Sequence, residues 1–565
     1  MANRKPSLYG WIAAGLAVLV AALPSDDGAR AAVERAAVAV VDPVAPGADI
    51  PPVGRSLFDH LTAADRGGAR VYDVPFPFTA LVDRIARELD AQSGAPIKRV
   101  LIPLGRSLQR VAAAPHYFAF PRVVAAVDAE PATASPFYLK DRLYLGYQEK
   151  ANVVEVISYN EAAGRFEFQV VRNYAPGQTP EVVYASRALC TTCHQNEAPI
   201  FSRQQWDETS ANPDVAARIR STRSDGYGVD LSRGVDVPYA IDNATDRANR
   251  FAATQLVWRD GCGDAAAAPQ RCRAGLFGAA LRFRLSGRSE AAASPQFQAT
   301  VVAPLVASAR VRWPAGLAIA DPDIPNRNPL SSDAMRKPIP QIESPFDPLT
   351  PRAPLEVWTI DGAASVSRVV GEVAEFVSAA DIARLDAALA SSWTRRDSTR
   401  TAVKARCDVR RTPARPSGEA IDFDCAGDAR NGLRLQARVQ TQGTTAATIA
   451  LARLQLGDEP PMIDLAVTDA RAALRPTGGT VSGAPRRGAL RARSPVGDGV
   501  ERITLRFDGT KGDAEASIVG DSARIDAAVN TMLADSAAGR FDGFDARPFR
   551  RAKLMPALLG ALGAP

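Results

Sequence analysis

Histidine and methionine are scarce in this chain: its 565 residues contain 3 His and 5 Met. A cluster of imidazoles, or a closed zinc site built on several of them, has almost no material to be made from. Neither a GxSxG nor an HExxH sequence occurs, which removes the nucleophile elbow of the α/β-hydrolases and the two-histidine helix of the zincins. No block of like charge stands out either. The 68 basic and 62 acidic residues leave a formal net charge of +6, and the basic ones are scattered among acidic ones rather than interleaved with aromatics. That leaves no electrostatic footprint for a nucleic acid, and no nucleic-acid partner is expected. A repeat of fixed period is absent, which excludes a solenoid or propeller. Past the amino terminus, no segment has the ~20 consecutive apolar residues that a membrane-crossing helix requires.

What is present is ordinary globular material. Hydrophobic residues at 46% and charged residues at 23% permit sizeable cores, while 41 Gly and 42 Pro imply many turns. A single core stops growing near roughly 250–300 residues, so two or three packed units are expected in an α+β, multi-domain chain. The amino terminus carries Arg4 and Lys5, then an apolar run from Trp11 to Leu23 closed by Pro24, Asp26 and Asp27. Small residues at Ala29-Arg30-Ala31 offer a cleavage position, so 1–31 reads as a secretory signal peptide. An uncleaved anchor is the alternative, and the lack of a cysteine after the run argues against a lipoprotein. The mature chain is expected in the periplasm, with no stable membrane insertion after signal removal.

The six cysteines fall into three spaced pairs. Cys262 with Cys272 and Cys407 with Cys425 are expected to be local disulfides of an oxidising compartment, buried thiols being the alternative. Cys190 and Cys193 belong to the segment Cys190-Thr191-Thr192-Cys193-His194, the pattern of c-type haem attachment. Positions i, i+3 and i+4 share one face of a helical turn, so two thiols and one imidazole can address a single porphyrin. The thiols would form thioethers with its two vinyl groups, and His194 would bind iron as proximal ligand. A thioredoxin-like redox pair would want a βαβ context, and a zinc site two further ligands near by.

Through Cys190, Cys193 and His194 the chain resembles the c-type cytochromes. Its flanks, Tyr184-Ala185-Ser186-Arg187-Ala188-Leu189 before the motif and Pro199-Ile200-Phe201-Ser202-Arg203 with Trp206 after it, resemble those of a group of large secreted bacterial proteins with cytochrome c domains. The resemblance implies one covalent haem c with its iron and single-electron transfer to a redox partner protein that the sequence does not name. A haem enzyme of peroxidase or oxygenase type, or a haem-based sensor, would instead keep an open distal site. For the sixth ligand Met335 ranks first and His116 second; Met462, Met532 and Met555 read as structural. Arg187 and Arg203 are candidates for pairing with haem propionates, and Trp206 for packing on the porphyrin edge.

Along the chain, 32–184 reads as a β-rich amino-terminal domain. Strands are expected at Val153 to Ser158 and Arg165 to Val171, joined by Asn160 to Gly164, with Arg122 to Val127 extending the sheet. Residues 185–354 read as a mostly helical and irregular haem domain, with a helix over Asp246 to Trp258 capped by Asn243 or Thr245 and showing Phe251, Leu256 and Val257 on its apolar face. Residues 355–565 read as an α+β domain. It has a helix near Ser378 to Leu389 opened by Asp381, strands around Leu433 to Leu456 and Val500 to Phe507, and helices over Asp521 to Leu533 and Phe549 to Leu562.

Overall fold

The computed structural model describes residues 54–89, 96–104, 112–131, 137–191, 194, 197–200, 209–232, 240–263, 267–286, 295–319, 354–391, 402–413, 418–427, 434–442, 444–455, 463–464, 471–482, 487–493, 502–517 and 521–563. The expected signal peptide, Cys193, Arg203, Trp206 and Met335 lie outside them.

The first helix, α1 (Leu57–Thr62), starts at Ser56, whose hydroxyl accepts from the Asp59 amide and so satisfies one of the first-turn donors. A short hairpin of β1 (Ala63–Arg66) and β2 (Ala69–Tyr72) turns on Gly67 and Gly68, both at positive φ as a tight two-residue turn demands. Then come α2 (Phe78–Ala86) and a six-stranded antiparallel meander: β3 (Ile97–Ile102), β4 (Arg122–Val127), β5 (Leu143–Gln148), β6 (Val153–Asn160), β7 (Arg165–Arg172) and β8 (Glu181–Tyr184).

Strands β4 to β7 are buried on both faces, which explains their nearly continuous apolar runs, and register assigns each side chain to a face. Tyr147, Ser158 and Gln169 stand on one face, where α1 and α2 cover them: Ser158 accepts from the Phe58 amide, Gln169 bonds Ser56 and Asp59, and Phe78 stacks on Tyr147. Tyr144, Tyr159, Phe166 and Phe168 stand on the other. On this second face Arg122 of β4 reaches over β5 to Glu155 of β6 at 2.5 Å, passing across Gly146, where a Cβ would collide with the guanidinium.

The second face is covered by helices. After α3 (Arg187–Cys190) and α4 (Pro213–Arg220) comes α5 (Ala240–Asp260), which accepts the Tyr144 hydroxyl at Ala244 and packs Phe251 on Tyr159. Helix α5 begins earlier than its periodicity suggests. Asn243 and Thr245 are therefore interior rather than caps, Thr245 returning its hydroxyl to the Ile241 carbonyl, and Leu256 is exposed instead of facing the core. The disulfide Cys262–Cys272 spans the corner into α6 (Ala267–Ser286). Next to it the buried Arg273 guanidinium donates to the carbonyls of Trp258, Arg259 and Gly263, placing a positive charge at the carboxyl end of α5, where the helix dipole favours it.

Helix α7 (Ala303–Arg312), the paired strands β9 (Leu317–Ile319) and β10 (Glu356–Trp358), α8 (Ala363–Ala374) and α9 (Ala379–Ser391) follow. Ser378 and Asp381 cap α9 reciprocally, each side chain accepting from the other's amide.

The strands β11 (Ala402–Pro413), β12 (Glu419–Gly427), β13 (Arg434–Gln442), β14 (Thr445–Gln455), β15 (Ile463–Asp464), β16 (Arg471–Ser482), β17 (Arg487–Arg493), β18 (Arg502–Asp508) and β19 (Lys511–Ser517) form one antiparallel sheet. It closes on itself: β11 pairs β12 and β19, and β13 pairs β14, so every strand but the short β15 lies in a ring. Closure removes the exposed edges that an open sheet would offer. Cys407, Cys425, Phe423, Leu435, Leu490, Leu505 and Phe507 help to fill its interior, and Cys407 is disulfide-bonded to Cys425, its register partner. Finally α10 (Asp521–Ala537) and α11 (Arg551–Ala561) return to the first core, Arg551 forming a buried bidentate pair with Asp381.

The chain is thus α+β with its sheets and helices in separate regions, and both expected disulfides are present. Among the described residues no helix is long and apolar enough to cross a membrane.

Candidate haem-attachment segment

Strand β8 ends at Tyr184, and the chain turns over the β7–β8 edge onto the face of the sheet that carries Phe168 and that α5 covers. There Cys190, at the end of α3, joins a small apolar cluster of Val153, Phe168, Val170 and Ala185, flanked by Val183 and Ile157. Three backbone hydrogen bonds follow the chain from the short helix: Thr191 N donates to Arg187 O, His194 N to Cys190 O at 3.0 Å, and Glu197 N to His194 O at 2.7 Å. Backbone spacing thus brings Cys190 and His194 to adjacent turns, as positions i and i+4 should be.

The His194 ring rests against Phe168, centroid to centroid 5.3 Å, and its Nδ1 lies 2.8 Å from the Ala198 carbonyl oxygen. A carbonyl only accepts, so Nδ1 carries the proton and the lone pair of the neutral ring is on Nε2. Glu197, immediately before that carbonyl, has φ +63°. A left-handed conformation costs a residue with a side chain roughly 1–2 kcal/mol, so its neighbours must hold it. Beyond the turn, the Pro199 carbonyl accepts from Asn249 of α5 at 3.0 Å, tying the segment to the long helix.

Arg187 is engaged within the fold. Its guanidinium donates to the Phe166 carbonyl at 2.7 Å, lies 3.3 Å from Glu167, pairs with Glu197 and stands over the Phe168 ring. These are the partners that the fold gives the arginine which the sequence offers to a haem propionate. Burial pushes the Glu167 carboxyl above its usual range, against the opposing pull of Arg165 and Arg187.

His116 is exposed in the turn before β4, a strand separated from β7 by β5 and β6. His60, on α1, belongs to the opposite face and stacks on Phe137. Among the described residues no three His, Cys, Asp or Glu side chains converge as a closed metal site would need. The side chains that sequence reasoning missed here are Phe168, Glu167, Glu197 and Asn249. Phe168 was legible as a strand residue, but nothing in the motif pointed to its place beneath the histidine.

Of the groups that a covalently held porphyrin would need, the described residues supply two that are chemically suited to it, the half-buried Cys190 and the His194 imidazole with Nδ1 engaged, both beside apolar side chains. Comparisons with protein-family models, with curated proteins and with solved structures returned no match to the chain.

Proposed function

We propose that this chain is an exported, periplasmic monohaem c-type cytochrome that passes single electrons to and from a redox partner protein. Cys190 and Cys193 would hold the haem through thioethers, and His194 would bind its iron. The observation that carries the reading is the Nδ1 to Ala198 carbonyl contact of 2.8 Å. Such a bond fixes the tautomer and orientation of a ligating imidazole and raises its basicity. When bound, haem supplies a reversible ferric/ferrous couple, which the chain tunes through ligand basicity and burial. The apolar floor around Phe168 lowers the local dielectric and disfavours the extra positive charge of the ferric state. Asn249 and Glu197 hold the turn that orients His194.

The test is maturation in a host with cytochrome assembly machinery, followed by intact mass and optical spectra in both oxidation states. One haem per chain and a low-spin spectrum support the reading. A bare polypeptide without iron overturns it. Met335→Ala and His116→Ala then identify the sixth ligand as the variant that turns the spectrum high-spin; a high-spin wild type that binds carbon monoxide would move the weight to the enzyme or sensor alternatives.

A further inference from the structure

Arg187 precedes Cys190 by three residues and Glu197 follows His194 by three, and their side chains meet in an ion pair. The pair bridges the base of the attachment segment. The Arg187 main chain holds the near end of the same loop, its carbonyl accepting from both the amide and the hydroxyl of Thr191. Its side chain holds the far end at Glu197, the residue in left-handed conformation on which the direction of the next carbonyl depends. That carbonyl is Ala198 O, the acceptor for His194 Nδ1.

The clamp is anchored to a rigid floor. Arg187 is 8% exposed and Glu167 1%, and the guanidinium also bonds the β7 backbone at Phe166. A planar fork with several donors can serve the carbonyl and two carboxylates together, which a lysine ammonium does less well. The loop is therefore referenced to β7, the same strand whose Phe168 supports the imidazole ring.

We infer that Arg187 is a positioning residue for His194: by fixing Glu197 against β7 it sets the turn that aims the Ala198 carbonyl at Nδ1, and so governs the basicity of the ring as an iron ligand. The inference rests on the proposed role of His194, but its structural half is measurable without haem. Loss of the Nδ1 bond makes the imidazole a weaker donor and the ferric state less favoured, so the reduction potential should rise.

The variants are Arg187→Gln, Arg187→Lys and Glu197→Gln in the full chain. With three histidines in the sequence, ring nitrogen resonances of the haem-free protein labelled at histidine are few enough to assign. The wild type should show His194 as the Nδ1–H tautomer. Arg187→Gln and Glu197→Gln should mix the tautomers and speed amide exchange at His194 and Glu197 about tenfold, with Arg187→Lys in between. In haem-loaded protein the ferric/ferrous equilibrium should shift about tenfold toward ferrous, ~59 mV for a one-electron couple. Unchanged tautomer and exchange in folded variants would overturn the inference. If Arg187→Gln does not fold, Glu197→Gln decides alone, because the Glu197 side chain is 50% exposed. Should the wild type carry no haem, the cytochrome reading fails while tautomer and exchange still judge the clamp.

Discussion

The Phe168 ring stands 5.3 Å from the His194 ring, tilted by 50°, and the guanidinium carbon of Arg187 lies 5.6 Å from the centroid of the same phenyl group. One aromatic side chain on β7 therefore supports both the candidate ligand and the residue that braces its loop. Replacing Phe168 with Ala leaves a void in a small cluster that has little else to collapse inward. The expected cost is about 3–5 kcal/mol, with Phe168→Leu costing less because it keeps most of the apolar volume. Urea unfolding of the full chain measures it. A change below about 1 kcal/mol for Phe168→Ala would mean the cluster is not packed as described.

The barrel disulfide offers a separate test, because Cys407 and Cys425 lie in a core distinct from the first one, which holds Cys262 and Cys272. Closing a loop of this length contributes about 3 kcal/mol. Replacing both residues with Ala should lower one calorimetric transition and leave the other in place. The double variant at Cys262 and Cys272 should lower the other, since that disulfide joins α5 to α6 in the first core. Equal movement of both transitions in either variant would show that the two cores unfold together.

Much of the fold was legible where a single periodicity ruled. Val153 to Ser158 and Arg165 to Val171 alternate or run apolar around the Asn160 to Gly164 turn, and they form an interior hairpin of the sheet. Asp381 marked the start of a helix because its capping geometry is local. The barrel was harder to read. In β16 and β17 the strands are rich in Arg, Gly and Ala, and small or charged residues carry little alternation, so only pairing with neighbours reveals them. Helix α8 was also missed, although Val366, Val369, Val370 and Val373 recur at helical spacing, because valine signals strands as readily as buried helices. At the candidate site, Cys190 and His194 declared themselves by spacing. Arg187 stood out only as an arginine flanking the motif; its part as a brace was not legible, because its partners Glu167 and Glu197 come from opposite sides of it in sequence and meet only after β7 and β8 have paired.

Asp59 holds the start of the attachment segment from the other face of the sheet. Its fully buried carboxylate accepts from the hydroxyls of Tyr72 at 2.8 Å and Tyr184 at 2.7 Å, from Gln169 at 2.8 Å, and pairs with Arg70 at 3.3 Å. Asp59→Ala strands two hydroxyls and an amide in a buried space. The expected loss is roughly 3–5 kcal/mol, as for breaking one side of a buried charged network. Because Tyr184 opens the segment that carries the motif, amide exchange through Ala185 and Ser186 should quicken in this variant more than exchange in β4. Uniform quickening across the sheet would argue that Asp59 stabilises the whole unit without particular bearing on the segment.

The tyrosines of this network are among those whose burial makes the fold sensitive to alkali. Burial, with the Asp59 charge and hydrogen bond adding to it, pushes the hydroxyls of Tyr72 and Tyr184 well above their ordinary range, and burial pushes Tyr147 up to about 12. An unfolded tyrosine ionises near pH 10. Below that pH both states keep the proton and stability does not depend on it. Above it the unfolded chain releases protons that the folded chain retains, so stability falls as pH rises through and beyond 10. Tyrosinate absorbance should lag behind that of the denatured chain above about pH 10, then rise together with unfolding measured by circular dichroism. In Asp59→Asn the negative charge facing Tyr72 and Tyr184 is gone, so part of that absorbance should appear at lower pH while the chain is still folded. A wild-type titration that overlays the denatured one would refute the burial of these hydroxyls, and with it the anchoring of β8 against α1.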